Sequence, residues 1–437
     1  MIIPKREAYT VKCTCETITC HTFSTGGSEN SSSAHTRLGH GKTCAKVILF
    51  GEHSVVYGYP AVALPLRNLC INATVTDSCP FKNSLENSAF DSSNEVSLDN
   101  QNANTNNADN QNADSQNIDD SVVLCALDFT GLLRDVPKRL ASIRTAIHAA
   151  LDFVGWDGKP LYVLTESDFP PERGLGSSAA AAGAVIRAIL DYYGVEADKS
   201  KLFSLTQQAE LVAHGRSSGL DAVATSSLAP VKYGDGSFSY MNIDMRAWIV
   251  LADSGCKGMT RVTVEALRKK REENPDFVNA LLKELGDIAL SAEDDLAQGR
   301  SKDMGARMLR AHKILAELGI STPLLDDLVN AAYNNGALGA KLTGGGCGGC
   351  VIALADSEDC ARKVSEAFKS AGAKQTWIVD IDADANERDN KICNRICGEG
   401  SGECCGEDDS ERYSEGDSEG YSESVNKSYS EYDSESE

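Results

Sequence analysis

Nothing in this 437-residue chain approaches the ~20 consecutive apolar residues that a bilayer-crossing helix requires, although 41% of its residues are hydrophobic. No basic stretch leading into an apolar core opens the chain either, so the expectation is a soluble, cytoplasmic protein with no membrane partner. Basic residues are in deficit: 42 Lys and Arg stand against 64 Asp and Glu, a formal net charge of −22. Phosphate backbones are bound by clustered Lys and Arg, so no nucleic-acid partner is expected. The deficit is uneven, because residues 398–437 hold 14 acidic and 2 basic residues and supply −12 of the total. That stretch reads as a disordered, solubilising acidic tail.

Fifteen cysteines without an export signal do not make a disulfide framework. Cys70, Cys125 and Cys350 sit in apolar runs, where a thiol behaves as a small hydrophobe. Two clusters, Cys13, Cys15, Cys20 and His21 near the start and Cys393, Cys397, Cys404 and Cys405 near the end, lack the paired Cys-x-x-Cys spacing of structural zinc sites.

The length exceeds what one hydrophobic core usually serves, so two domains plus appendages are expected. Residues 1–40, rich in Ser, Thr, Gly and Cys, read as a disordered extension, and 81–121 as an Asn/Asp/Gln/Ser insertion with too little apolar content to offset the entropy of ordering. Between them and after them, strand-like apolar runs at 45–50, 69–75, 122–127 and 161–165 alternate with helical patterns at 138–153, 177–193 and 199–214. A second block opens with a strand at 247–252, continues through helices at 276–298, 301–318 and 322–335, and closes strand, helix, strand at 349–354, 357–371 and 375–381. The fold class is therefore mixed α/β or α+β, with domains over 41–240 and 241–385.

Four segments carry chemistry. Glu172-Arg173-Gly174-Leu175-Gly176-Ser177-Ser178-Ala179-Ala180 is a glycine loop running into an alanine-rich helix. The unsatisfied N–H groups and dipole of a helix start favour a phosphate, and the serines can cap the helix or contact phosphate or Mg²⁺. It is not a Walker loop, since no Gly-Lys-[Ser/Thr] follows, and a plain glycine turn with a serine cap is the alternative. Further on, Gln208 to Asp221 reads as a helix ending in a Ser/Gly turn. There Asp221 either orients and deprotonates a hydroxyl or caps the next helix, Glu210 either holds Mg²⁺ or lies on a solvated face, and His214 is assigned a structural hydrogen bond. Lys341 to Cys350 packs five glycines into six positions, Gly344, Gly345 and Gly346 among them, which suits backbone passing close to something or a plain loop. Ala45 to Ser54 reads as a buried strand ending in a polar cluster, with Lys46 either a solvated strand end or a cation in a cleft.

Taken in order, Lys46 to Gly58, Gly174 to Ala180 and Lys341 to Gly349 resemble the three motifs of the galactokinase, homoserine kinase, mevalonate kinase and phosphomevalonate kinase (GHMP) superfamily over roughly 41–385. The first motif, with Pro60, Ala61 and Ala63 after it, is similar to that of mevalonate kinases in particular. The resemblance implies a ribosomal-protein-S5-like N-terminal domain, a ferredoxin-like C-terminal domain and an active site in the cleft between them. It implies ATP and Mg²⁺ as cofactors and phosphorylation of the primary hydroxyl of mevalonate, with phosphomevalonate as the alternative acceptor and a homodimer as an open alternative to a monomer. Carried over residue by residue, Ser178 contacts phosphate and Mg²⁺, Glu210 completes the metal site, Asp221 is the base or hydroxyl-orienting carboxylate, Lys46 is its cationic partner, and Glu52 and His53 line the acceptor pocket. Three departures stand out: Glu172-Arg173 where many members carry Gly-Ala, Ser217 where Pro is common, and Cys347 in a variable slot. A non-catalytic sensor on the same fold would be expected to have lost one of the two carboxylates, and both Glu210 and Asp221 are present.

Overall fold

The computed structural model describes residues 37–78, 117–214, 217–234 and 236–381. The acidic tail, both cysteine clusters, most of the N-terminal extension and of the polar insertion, Arg216, and the side chain of His214 lie outside the described residues.

The N-terminal domain begins with two long strands, β1 (Leu38–Phe50) and β2 (Ala61–Thr76). They run antiparallel from Leu38 opposite Thr76 to Phe50 opposite Val62, with register shifts at Cys44/Ala45 and Ile48/Phe50. Such irregularities re-aim side chains, and Lys46 lies between the two. After β2 come the single-turn helix α1 (Ile118–Ser121), β3 (Val122–Ala126), β4 (Phe129–Leu132), α2 (Ala141–Val154), β5 (Leu161–Ser167), α3 (Ser177–Tyr193), α4 (Lys199–His214), α5 (Leu220–Ser226), β6 (Val231–Gly234) and β7 (Ser237–Tyr240). The seven strands form one sheet in the order β4-β3-β5-β2-β6-β7, with β1 also on β2, and only the β3–β5 pairing is parallel.

Two edges differ from the sequence-based expectation. Residues 38–40, placed in the disordered extension, belong to β1: a Cβ on Gly39 or Gly41 would run into the Ala188 and Ala184 carbonyls, so the bare glycine backbone lets the small-residue helix α3 lie directly on the strand. The last residues of the polar insertion are also ordered. Asn117 caps α1, and Asp119 is gripped by Arg144 (Nε, 3.2 Å) and His148 (2.9 Å) on α2.

The C-terminal domain comprises β8 (Trp248–Asp253), α6 (Thr260–Glu273), α7 (Pro275–Ala297), α8 (Ser301–Glu317), α9 (Pro323–Asn334), β9 (Gly339–Thr343), β10 (Cys350–Ala355), α10 (Glu358–Ser370) and β11 (Gln375–Asp380). Its four strands are antiparallel in the order β11-β8-β10-β9. That order, fourth-first-third-second, with helices between the first and second and the third and fourth strands, is the ferredoxin-like arrangement. A main hydrophobic core runs through both domains, from Leu49 and Val185 to Ile352 and Phe368. None of the seven cysteines among the described residues is in a disulfide, and Cys44, Cys70 and Cys350 are buried. Burial pushes the Cys44 thiol up to about 12, so it is inert at neutral pH. No helix among the described residues is long and apolar enough to cross a membrane.

Candidate active site

The loop before α3 and the glycine loop of the third motif, after β9, meet at the junction of the two domains. The phosphate-type loop, residues 172–176, is clamped to β1 by the Lys46 N–H, which donates to the Leu175 carbonyl at 3.0 Å. Its glycine Gly174 and Gly344 of the third loop have φ of 80° and 81° and touch backbone to backbone, so a Cβ on Gly344 would sit 3.2 Å from the Gly174 Cα. Only glycine allows both the left-handed turn and that approach. Gly345 and Gly346 continue the third loop, accepting at their carbonyls from the Thr263 hydroxyl (2.8 Å) and the Met259 N–H (3.0 Å).

Gly176 is the N-cap of α3, with no side-chain cap, and Ser177, Ser178, Ala179 and Ala180 form its first turn. The serine-cap alternative therefore does not hold. Ser177 Oγ accepts from the Glu172 N–H at 3.4 Å, while Ser178 Oγ donates to Glu210 Oε2 at 3.1 Å. Glu210, on α4 and only 2% exposed, also accepts from the Ser142 hydroxyl of α2 at 3.2 Å. The solvated-face alternative for Glu210 is thus replaced by a buried carboxylate where three helices converge. A carboxylate and a hydroxyl this close are the hard oxygen donors that Mg²⁺ takes, with water and phosphate oxygens completing its shell.

Asp221 is the second residue of α5, whose N-cap is Gly219, so it does not cap the helix. It pairs instead with Lys46, Nζ to Oδ1 at 2.8 Å; Lys46 is 3% exposed and Asp221 37%. Lys46 is thus a buried cation and not a solvated strand end. The turn before α5 is held by Ser217 and Ser218, whose hydroxyls accept the Gly219 and Leu220 N–H groups at 3.3 Å each. Ser217 in this way does with a hydrogen bond what a ring constraint does where proline occupies such a turn.

Glu52 and His53 follow β1 and are buried, at 1% and 5% exposure. His53, with φ of 61°, meets the Gly345 carbonyl through Nε2 at 3.0 Å. Burial lowers its imidazole to about 4, so at neutral pH it is uncharged; Nε2 carries the hydrogen and Nδ1 is an acceptor. Glu52 Oε1 is held by Lys341, a fully buried residue of β9. Burial pushes the Glu52 carboxyl up and the Lys341 ammonium down, and the contact between them opposes both shifts. Lys341 receives no role from the sequence, because it opens the glycine motif and reads as part of the loop. A lysine at an interior position of a strand is the signal available.

The Glu172-Arg173 departure also has a physical account. Arg173 Nε reaches both oxygens of Asp253 at the end of β8, at 2.9 and 3.0 Å, and the aspartate is nearly inaccessible. Glu172 pairs with Lys257, its carbonyl accepts the Gly258 N–H at 3.3 Å, and its φ is 61°. A non-glycine residue held there persists only when its surroundings over-determine it, and two ion pairs to the C-terminal domain do so. Arg173→Ala, which strands a buried carboxylate, is expected to lower stability by ~1–3 kcal/mol and to raise KM for ATP more than KM for the acceptor. Thermal unfolding and initial rates check this; unchanged Tm and KM would show the latch to be idle.

A helix start open to phosphate, two oxygen donors beside it and the Lys46–Asp221 pair between β1 and α5 fit a kinase acting on a small hydroxyl compound. The sequence matches the GHMP kinases N terminal domain over residues 141–229 and the GHMP kinases C terminal domain over 292–374. It is 32% identical over 333 residues to a mevalonate kinase of Pyrococcus furiosus, covering 75% of this chain and 92% of that protein. Among solved structures it resembles a mevalonate kinase of methicillin-resistant Staphylococcus aureus (25% identity, TM-score 0.56, 79% of this chain and 99% of that one). It shares its fold with an L. major mevalonate kinase in complex with R-mevalonate (21% identity, TM-score 0.60, 81% and 98%). The chain belongs to the mevalonate kinase family of the GHMP kinases.

Proposed function

We infer that this chain transfers the terminal phosphoryl group of ATP to the primary hydroxyl of mevalonate, giving 5-phosphomevalonate. Phosphoryl transfer is catalysed mainly by positioning and by neutralising charge, and each part has a candidate here. The start of α3, from Ser177 to Ala180, with the loop 172–176, receives phosphate. Ser178 and Glu210 would hold Mg²⁺, which when bound neutralises charge on the transferred group. Asp221 accepts the hydrogen of the attacking hydroxyl, and the buried Lys46 fixes that carboxylate in place. A cytoplasmic location belongs to the same reading.

The choice of acceptor rests on one observation. Among the described residues, the only buried side-chain nitrogen or oxygen atoms without a hydrogen-bond partner are Glu52 Oε2, His53 Nδ1 and Ser54 Oγ, in three consecutive residues. Two of these atoms can only accept hydrogen bonds, and the third can accept or donate. Such a set suits alcohol O–H groups and is hostile to a second phosphate, which needs cations. Of the four cations near the motifs, Arg173 and Lys257 are already committed to Asp253 and Glu172, Arg261 lies in the first turn of α6, and Arg216 is outside the described residues.

An ADP-release assay over mevalonate, phosphomevalonate, homoserine and galactose tests the reading. Mevalonate is expected to exceed phosphomevalonate in kcat/KM by at least ~10²-fold, the scale of leaving a buried charge without its partner. The reverse preference would move the acceptor one phosphorylation on, and no turnover of any of the four would sink the enzyme reading.

A further inference from the structure

Lys341 is 0% exposed, and its ammonium is spent on two acceptors, Glu52 Oε1 and the Leu342 carbonyl at 2.7 Å. Replacing a buried ion pair with apolar side chains of similar volume is often neutral or stabilising, so packing alone gives no reason for a lysine here. The strand it occupies suggests another. Alternate residues of a strand share a face, which puts Lys341 and Thr343 of β9 together toward β1. Thr343 Oγ1 accepts from the Ile48 N–H at 3.0 Å and donates to the Ile48 carbonyl at 2.9 Å. One face of β9 therefore holds the first motif at two points, the strand through Thr343 and the polar cluster beyond it through Lys341. At the second point the grip is on one carboxylate oxygen only; the other, Glu52 Oε2, is buried and unpartnered, as are His53 Nδ1 and Ser54 Oγ beside it. Buried polar groups in folded proteins are almost always satisfied, so three in a row point to a ligand that supplies hydroxyl hydrogens.

We propose that Lys341 is the positioning residue of the acceptor site: by holding Glu52 Oε1 it leaves Oε2 fixed as the acceptor for a hydroxyl of the phosphoryl-accepting substrate. Its effect reaches the substrate through Glu52, across the junction of the two domains, and it bears on the acceptor and not on the nucleotide. Ser54 adds a neutral hydroxyl to the same cluster. This rests on the reading of the first motif as the acceptor site.

Steady-state kinetics of Lys341→Met, Glu52→Gln and the double variant test it. Lys341→Met is expected to raise KM for mevalonate by ~10-fold or more, the scale of a lost hydrogen bond to a charged group, with KM for ATP changed less than about twofold. The double variant should match Glu52→Gln alone, because a residue that acts only through Glu52 has nothing left to position. A folded Lys341→Met enzyme with wild-type KM for mevalonate, equal rises in both KM values, or additive effects in the double variant would overturn the proposal. If Lys341→Met does not fold, the double variant, which carries no unpaired buried charge, decides the matter through the same comparison with Glu52→Gln. Wild-type turnover of a different alcohol would displace mevalonate and leave Lys341 to be judged on KM for that alcohol, while a wild-type enzyme that uses no acceptor would overturn both.

Discussion

Asp221→Asn is expected to lower kcat by at least ~10²-fold, the usual cost of removing a positioned acid–base group, while leaving ATP affinity nearly unchanged. The substitution keeps the shape of the side chain and removes its charge, so the 2.8 Å contact with Lys46 loses its ionic character without opening a hole. Lys46 is almost wholly buried between β1 and the phosphate loop, and a Cβ on Gly176 would lie 3.0 Å from its stem. It cannot swing away to solvent, and in the variant it faces a neutral amide. The carboxylate itself is more than a third exposed. Single-turnover and steady-state rates together separate the chemical step from binding. Wild-type kcat in the variant would remove Asp221 from the mechanism and leave it as an ion-pair partner of Lys46.

Glu210→Gln is expected to act on the other half of the reaction. The variant should lose on the order of 10²-fold in kcat/KM for ATP, the scale on which one charge-stabilising group acts, and should need at least ~10-fold more Mg²⁺ for half-maximal rate. Gln can still meet the Ser142 and Ser178 hydroxyls, which approach Glu210 at 3.2 and 3.1 Å, so the convergence of α2, α3 and α4 is preserved while the charge is lost. KM for the acceptor should move little. An unaltered Mg²⁺ titration, with rates lowered or not, would make Glu210 a structural acceptor that ties three helices together. The two variants change different kinetic constants, which distinguishes a base from a metal ligand.

Some elements are legible in the sequence because their signals are local. Helix α3 spans the residues its glycine loop and alanine run indicate, since a glycine at the start, small residues on every face and a glycine after Tyr193 specify a buried helix within one stretch of chain. Helix α4, helices α7 to α10 and strands β10 and β11 are similarly plain from their periodicity, whereas β9 runs into the glycine motif and reads as loop. Helix α6 is not, because its sequence, TRVTVEALRKKREE, buries only Thr263 and Leu267 and so carries almost no apolar stripe. The short elements α5, β6 and β7 hold too few residues for a period to show. The first residues of β1 read as unstructured because Gly39 and Gly41 have no strand propensity of their own; their place is set by the alanine face of α3 lying over them.

The candidate site divides in the same way. From the sequence alone came the residue types and their motifs: the loop 172–176 with Ser178, the carboxylates Glu210 and Asp221, Lys46, and the polar run after β1. Each is a contiguous pattern whose chemistry depends on its own neighbours. Only the tertiary structure decided which alternative each residue took. Lys46 became a buried partner of Asp221, Glu210 left the solvated face for a pair of serines, Arg173 and Lys257 were spent on a latch, and Lys341 turned out to hold Glu52. All of these are pairings of charge or hydrogen bond between residues far apart in the chain, the first two within the N-terminal domain and the others between it and the C-terminal domain. They depend on strand register, on bulges that re-aim a side chain, and on glycine backbones such as Gly174 and Gly344 that can touch, none of which leaves a periodic trace in the sequence.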